Sequence, residues 1–230
     1  DLSMNYAVIL SGGVGTRLGL DIPKQYFEVN NKPIIGYVME TFEKSDVIDG
    51  VVIVAAPEWQ AYVEERISDS KKFLGFALPG ENRQLSIYSG LCFLKENVSN
   101  WEEAIVLIQD AARPNTSLEM IANCFSLAED EDGAMPVLPM KDTVYSSVDG
   151  SSISGLLDRK TIFAGQAPES FRLKKYLEAN EVLLPDAILK INGSTEPAIM
   201  AGMNIKMIPG DENNYKITTE ADLKRFCENV

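Results

Sequence analysis

No histidine occurs anywhere in this chain. That absence removes histidine-based triads, zinc sites with imidazole ligands and the His-x-Gly-His nucleotidyltransferases together. Any catalysis must therefore run on carboxylates, lysine, arginine, hydroxyls and a metal. Cysteine is scarce as well. Cys92, Cys124 and Cys227 are odd in number, widely spaced and never arranged as Cys-x-x-Cys, the pattern of small core or surface residues in a reducing compartment. Cations are outnumbered, 21 Lys and Arg against 34 Asp and Glu, and the net charge of −13 argues against nonspecific binding to nucleic acid or an anionic membrane surface. No apolar run approaches the roughly 20 residues of a membrane span. The opening Asp1-Leu-Ser-Met-Asn5 has neither the basic segment nor the apolar core of a signal peptide, so a cytoplasmic protein is expected.

Against this acidic background, local cations are informative. A short apolar run at 7–10 reads as a buried strand and breaks into Ser11, Gly12, Gly13, Gly15, Thr16 and Arg17. Glycines directly after a strand let the backbone approach a ligand closely, and their N–H groups line a concavity suited to anionic oxygens. Arg17 and Lys24 add positive charge just beyond the loop, which a bare turn does not need, and a polyphosphate is the natural guest. The loop is no Walker A motif. Nor is it a clean dinucleotide fingerprint, because Leu18 stands where the last glycine or alanine belongs.

The rest of the 230 residues, 45% hydrophobic and 24% charged, suits one large globular domain. Apolar stripes predict helices from Pro33 to Phe42, from Pro57 to about Ser70, after Gly80 and from Leu118; the third has Leu85, Tyr88, Leu91 and Cys92 inward. Continuous apolar runs predict strands at 51–56, 73–78, 104–108 and 134–138. This alternation means an α/β sandwich with a mostly parallel sheet, in which ligands bind at the carboxyl ends of strands. The glycine loop, residues 80–86 and residues 110–113 all fall at such ends. From residue 139 the rhythm changes: a β-prone stretch, the turn signal Asp149-Gly150 and a returning stretch predict a protruding hairpin arm over 139–160. With little apolar mass of its own, the arm needs a partner surface, and a second subunit is the simplest. A helix at 172–184, a short strand at 205–208 and a closing helix capped by Thr219 with Asp222 complete the chain.

Several rim residues have two readings each. Asp110 can hold Mg²⁺ or a ribose hydroxyl, or cap a helix and pair within its loop. Arg113 can meet a ligand or be a surface charge. Arg83 and Ser86, one helical turn apart, can face a ligand or be ordinary first-turn residues, and Lys216 can return to the rim or stay solvated.

In order, Leu10-Ser-Gly-Gly-Val-Gly-Thr-Arg-Leu-Gly19 with Pro23-Lys-Gln25, Gly80 with Arg83-Gln-Leu-Ser86, Asp110-Ala-Ala-Arg-Pro114, Asp142-Thr143, Asp158-Arg159, Gln166-Ala-Pro168 with Phe171, and Lys216-Ile-Thr-Thr219 resemble the motifs of one family. It is the 2-C-methyl-D-erythritol 4-phosphate cytidylyltransferases, with the related ribitol-5-phosphate cytidylyltransferases. The resemblance covers nearly the whole chain. It implies a Rossmann-like nucleotidyltransferase sandwich that works as a homodimer through the arm, and transfer of CMP from CTP to a polyol phosphate with release of pyrophosphate. It implies Arg17, Lys24 and Lys216 as catalytic cations. Leu10, Ser11, Gly12, Gly13, Gly15, Thr16, Gly80, Arg83, Ser86 and Asp110 would bind the nucleotide, with Asp110 also serving Mg²⁺. Arg113, Thr143 and Arg159 would hold the acceptor, the last two from a second subunit's arm. This sequence departs from the family pattern at Gln109, usually His, at Gln166-Ala-Pro-Glu169, where the family has Gln-Thr-Pro-Gln, and at 192–196, where an acidic Thr-Asp-Asp segment is replaced. The departures leave open which polyol phosphate is the acceptor. Two other readings are a nucleotide-binding regulator without turnover and a transferase using UTP or another donor.

Overall fold

A computed structural model describes residues 4–13 and 18–230. The first half alternates strand and helix: β1 (Asn5–Leu10), the short β2 (Glu28–Val29) and β3 (Lys32–Pro33), α1 (Ile34–Lys44), β4 (Gly50–Val54), α2 (Pro57–Arg66), β5 (Phe73–Ala77), α3 (Arg83–Asn97), β6 (Ile105–Asp110), α4 (Leu118–Asp130) and β7 (Gly133–Pro139). The second half holds β8 (Tyr145–Ser146), β9 (Gly155–Leu156), β10 (Phe163–Gly165), β11 (Glu169–Arg172), α5 (Leu173–Glu181), α6 (Glu196–Met200), β12 (Ile205–Pro209) and α7 (Glu220–Glu228).

The central eight-stranded sheet runs β10-β7-β11-β6-β1-β4-β5, with β12 also pairing β7. β1 lies parallel between β4 and β6, β5 extends that parallel set, and β12 is parallel to β7. The expected α/β architecture is present, with one addition: β11 inserts antiparallel between β6 and β7, and β10 pairs antiparallel with β7 at one end of the sheet.

Strand alternation sends successive side chains to opposite faces. Ala7, Ile9, Val51, Ile53, Ile105 and Leu107 pack with Ile35, Val38 and Phe42 of α1 and with Ile121 and Phe125 of α4. Tyr6, Val8, Val52, Val54, Val106 and Ile108 pack with Ile87, Leu91 and Leu94 of α3 and with Tyr176 and Leu177 of α5. Two faces covered by helices explain why the central strands read as unbroken apolar runs. The face expected for α3 needs correction. Ile87, Gly90, Leu91 and Leu94 are its buried apolar positions, whereas Leu85, Tyr88 and Cys92 are half-buried. A smaller cluster of Leu18, Val29, Ile34, Ile217 and Phe226 lies beneath α7, whose N-terminus carries the expected capping box of Thr219 and Asp222.

The hairpin signal gives β8 and β9, a separate two-stranded antiparallel sheet with Tyr145 opposite Leu156. At its tip Asp149 accepts from the backbone N–H groups of Ser151 and Ser152 (2.8 Å each), and Gly150 takes a positive φ of 74°. Val148, Ile153 and Leu156 are 93%, 71% and 67% exposed on the single chain, an unusual concentration of bare apolar surface. Among the described residues, no helix is long and apolar enough to cross a membrane.

Candidate active site

Leu10, the last residue of β1, pairs in register with Val54 of β4 and Asp110 of β6. The backbone continues the pairing past the strand ends, Ser11 N donating to Val54 O (2.9 Å) and Ala111 N to Leu10 O (3.0 Å). The glycine loop and the Asp110 segment are therefore neighbours by sheet register, and the 80–86 segment reaches the same rim from the end of β5. Together with Lys24, Lys216 and Thr218 these segments line a cavity of about 520 Å³.

Around the start of the loop the contacts are dense. Tyr26 Oη donates to Ser11 O (2.9 Å) and accepts from Ser11 Oγ (2.7 Å), while Gln25 Nε2 donates to Ser11 O (2.9 Å) and Gly13 O (2.8 Å). Ser11 thus ties the loop to the 3-10 turn at Lys24–Tyr26, which presents Lys24 to the cavity. A Cβ on Gly12 would stand 2.8 Å from Pro79 Cβ, so only glycine lets these two rim segments touch. Gly15, Thr16 and Arg17 lie outside the described residues.

The second segment is set by a helix start. Asn82 caps α3 by accepting from Leu85 N (2.9 Å), and Gly80 N donates to Ser86 Oγ (3.0 Å). A Cβ on Gly80 would fall 2.3 Å from Leu85 Cβ, which excludes a side chain there. The first turn directs Arg83 at Asp110, with Nη2 3.0 Å and Nε 3.3 Å from Oδ1. Arg83 Nη1 also donates to Ser194 Oγ.

Asp110 is the electrostatic centre of the rim. Besides Arg83, it accepts from Arg113 Nε on Oδ2 at 3.3 Å, and Lys216 Nζ lies 3.8 Å from Oδ1. Burial would raise its pKa, but Arg83, Lys216 and Arg113 together outweigh that and hold the carboxyl down at about 2. It is ionised at any physiological pH and holds three cations around one point. Behind it, on β11, sits a second buried carboxyl, at a position that the sequence marks only as a departure from the family pattern. Glu169 is 6% exposed and its Oε2 has no hydrogen-bond partner. Burial, reinforced by the charge of Asp110, pushes it up to about 7 against the pull of Arg83 and Arg113.

The remaining acceptor candidates are placed differently. Arg113 is behind Asp110 rather than on the cavity wall, and its Nη1 donates to Asn214 O (2.7 Å). Thr143 and Arg159 are exposed residues of the arm region, outside the cavity lining, and Arg159 Nη1 donates to Lys141 O (2.6 Å). Sequence reasoning also missed Asn82, Ser194 and Asn214, while Gln25 stands in the Pro23–Gln25 motif with no role assigned to it. Of those missed, only Asn82, an Asn directly before a helical stripe, carried a readable signal.

A buried ionised carboxylate ringed by three cations, beside backbone that follows a strand end, suits recognition of a strongly anionic ligand. The 2-C-methyl-D-erythritol 4-phosphate cytidylyltransferase model matches residues 5–227. A ribitol-5-phosphate cytidylyltransferase of Streptococcus agalactiae serotype III is 33% identical, the match covering 97% of this chain and 94% of the relative. A 2-C-methyl-D-erythritol 4-phosphate cytidylyltransferase of Geobacillus thermodenitrificans is 31% identical, covering 96% of this chain and 94% of the relative. Among solved structures, 4-diphosphocytidyl-2C-methyl-D-erythritol synthase of Anaerococcus prevotii superposes with a TM-score of 0.83 at 19% identity, over 99% of this chain and 98% of that one, a likeness of fold. By sequence and by fold, the chain belongs to the 2-C-methyl-D-erythritol 4-phosphate cytidylyltransferase family.

Proposed function

We propose that this chain transfers the cytidylyl group of CTP to a polyol phosphate, giving a CDP-polyol and pyrophosphate. The observation that carries the reading is the meeting of the glycine loop, Lys24, Lys216 and Asp110 around one cavity, in a chain that matches the family from residue 5 to residue 227. In the transfer an oxygen of the acceptor's phosphate attacks the α-phosphorus in line. The new O–P bond forms as the bridge to the β-phosphate breaks, and pyrophosphate leaves with that electron pair. No protein nucleophile is required, in keeping with a chain that lacks histidine.

Catalysis is then positioning and charge stabilisation. Arg17 and Lys24 are assigned to the triphosphate and the departing pyrophosphate, and Lys216 to the charge that gathers on the α-phosphate. Leu10, Ser11, Gly12, Gly13, Gly15 and Thr16 are assigned to the phosphates and sugar, and Gly80, Arg83 and Ser86 to the base. Asp110 keeps Arg83, Arg113 and Lys216 together so that they do not scatter by mutual repulsion.

The residues present fit Mg²⁺ in one manner. No cluster of three metal-ligating side chains exists among the described residues. Mg²⁺ nevertheless commonly takes about one or two carboxylates and completes its shell with water and substrate phosphates. Asp110 is ionised and has oxygen lone pairs beyond those used by its guanidinium partners, so it would supply the protein oxygen. The ion, when bound, offsets phosphate charge.

Arg113, Thr143 and Arg159 are assigned to the acceptor, the last two reaching across a homodimer joined through the arm in the cytoplasm. The exposure of Val148, Ile153 and Leu156 supports that assembly. 2-C-methyl-D-erythritol 4-phosphate is the first acceptor to consider. Ribitol 5-phosphate is the second, favoured by the Streptococcus agalactiae relative named for it. Pyrophosphate release with CTP or UTP, across both acceptors and glycerol 3-phosphate, tests the reading. Turnover with CTP and one acceptor supports it; CTP binding without turnover on any acceptor favours a regulator; no CTP binding rejects it.

A further inference from the structure

Lys216 and Arg113 come from segments about a hundred residues apart, yet both meet Asp110. Beside these segments lie three buried polar side chains outside the cavity. Gln109 is 0% exposed, Thr116 5% and Asn214 0%. Gln109 Nε2 donates to Thr116 Oγ1 (2.9 Å), and Thr116 Oγ1 donates to Asn214 Oδ1 (2.9 Å). Asn214 Nδ2 donates to Ala167 O (2.7 Å) and contacts Met120 Sδ (3.4 Å). A chain of donors thus runs from the end of β6 to the loop before α7 and on to the entry of β11.

The loop before α7 is fastened on both flanks of Lys216. On one side the backbone carbonyl of Asn214 accepts from Arg113 Nη1 (2.7 Å), and Gln166 pairs reciprocally with the backbone of Asp211, Nε2 to O at 2.9 Å and N to Oε1 at 3.0 Å. On the other side Ile217 is fully buried and its N–H donates to Ala112 O (2.8 Å). One buried asparagine therefore touches Arg113 directly and sits two residues from Lys216. Its side chain can satisfy Thr116 and Ala167 together only because it is an amide, acceptor on one atom and donor on the other. Buried polar networks of this kind rigidify what they join, and of these three side chains only Gln109 Oε1 is left without a partner.

We propose that Asn214, keyed by Thr116 and Gln109, is a positioning residue that sets Lys216 and Arg113 against Asp110 and so controls the acceptor side of the reaction. This rests on the cytidylyl-transfer reading. The segment assigned to the base is built separately: Gly80, Asn82 and Ser86 share no hydrogen bond with Asn214, so displacement of Lys216 acts on the charge that develops at the α-phosphate rather than on the hold on the base.

The test is steady-state kinetics of Asn214→Asp and Thr116→Val, with kcat referred to the concentration of CTP-binding sites. The aspartate keeps the acceptor for Thr116 but sets a carboxylate against Ala167 O; the valine removes only the hydroxyl. Displacement of the cations is expected to lower kcat about 10–100-fold and raise the acceptor KM several-fold, with the CTP KM changed by less than about twofold. Should Asn214→Asp fail to fold, Thr116→Val decides alone. A role confined to stability would reduce the yield of sites and leave both KM values and kcat per site unchanged, overturning the proposal. An equal rise in both KM values would overturn it too, since it denotes general loosening. An unsubstituted chain without turnover removes the transfer reading and this proposal together, whereas normal turnover with unaffected variants removes the proposal alone.

Discussion

Glu169→Gln isolates the cost of burying a second carboxyl behind Asp110. In the fold this group titrates near 7, raised by burial and by Asp110, against an ordinary value of 4.5. Between those values the native state binds more protons than the unfolded chain, so its contribution to stability falls as pH rises through the window. At about 1.36 kcal/mol per pH unit, the native state loses about 2–3 kcal/mol through this group alone between about pH 5 and about pH 8.5. Glutamine has the shape of the neutral carboxyl and does not titrate. Any fixed difference from its amide is the same at every pH. Asp110, held at about 2, stays ionised across the whole range and contributes no slope. Urea unfolding of both proteins at several pH values measures the effect. Relative to the parent chain, Glu169→Gln is expected to gain about 2–3 kcal/mol across the range, roughly 5–10 °C in Tm for a chain of this size. A stability difference that does not change with pH would refute the assignment of a buried, titrating Glu169.

Three further outcomes follow from named contacts. Lys216→Ala is expected to lower kcat about 10²–10³-fold, the scale of one transition-state donor, with native circular dichroism retained. Gly80→Ala puts a Cβ where Leu85 Cβ stands 2.3 Å away. The first turn of α3 must then shift, at a cost of about 1–3 kcal/mol in denaturant unfolding, with a raised KM for CTP. Leu156→Asp, on the bare face of the arm, is expected to shift a homodimer to monomer in light scattering, and an unchanged mass would remove the arm from the interface.

The parallel half of the fold was legible because β1, β4 and β6 are covered on both faces, which forces apolar residues at nearly every position. The antiparallel insertion was not. β11 reads Glu-Ser-Phe-Arg, with Phe171 its one apolar side chain, and what buries Glu169 and Ser170 is their neighbours in space rather than their own character. The face of α3 was misjudged because two polar residues of its first turns are buried, Ser86 at the cavity and Gln84 against Tyr176 and Asn180 of α5, and this breaks the apolar stripe. The β2–β3 hairpin turns on Asn30 and Asn31, both at positive φ, a signal that adjacent asparagines do carry. At the site, sheet register alone brings the glycine loop to Asp110. The segment that carries Lys216 is tied in through Thr116 and Asn214, ordinary polar residues whose meaning comes only from being buried together, and through Gln109, which the sequence marks only as a departure from the family's His.

The most direct test of the account is ³¹P NMR of the chain incubated with CTP, Mg²⁺ and 2-C-methyl-D-erythritol 4-phosphate, then with ribitol 5-phosphate. Transfer at the α-phosphorus predicts a new unsymmetrical diphosphate and an equal amount of pyrophosphate, with one acceptor preferred. Orthophosphate released from the γ-position, or a CTP spectrum unchanged with every acceptor, would contradict it.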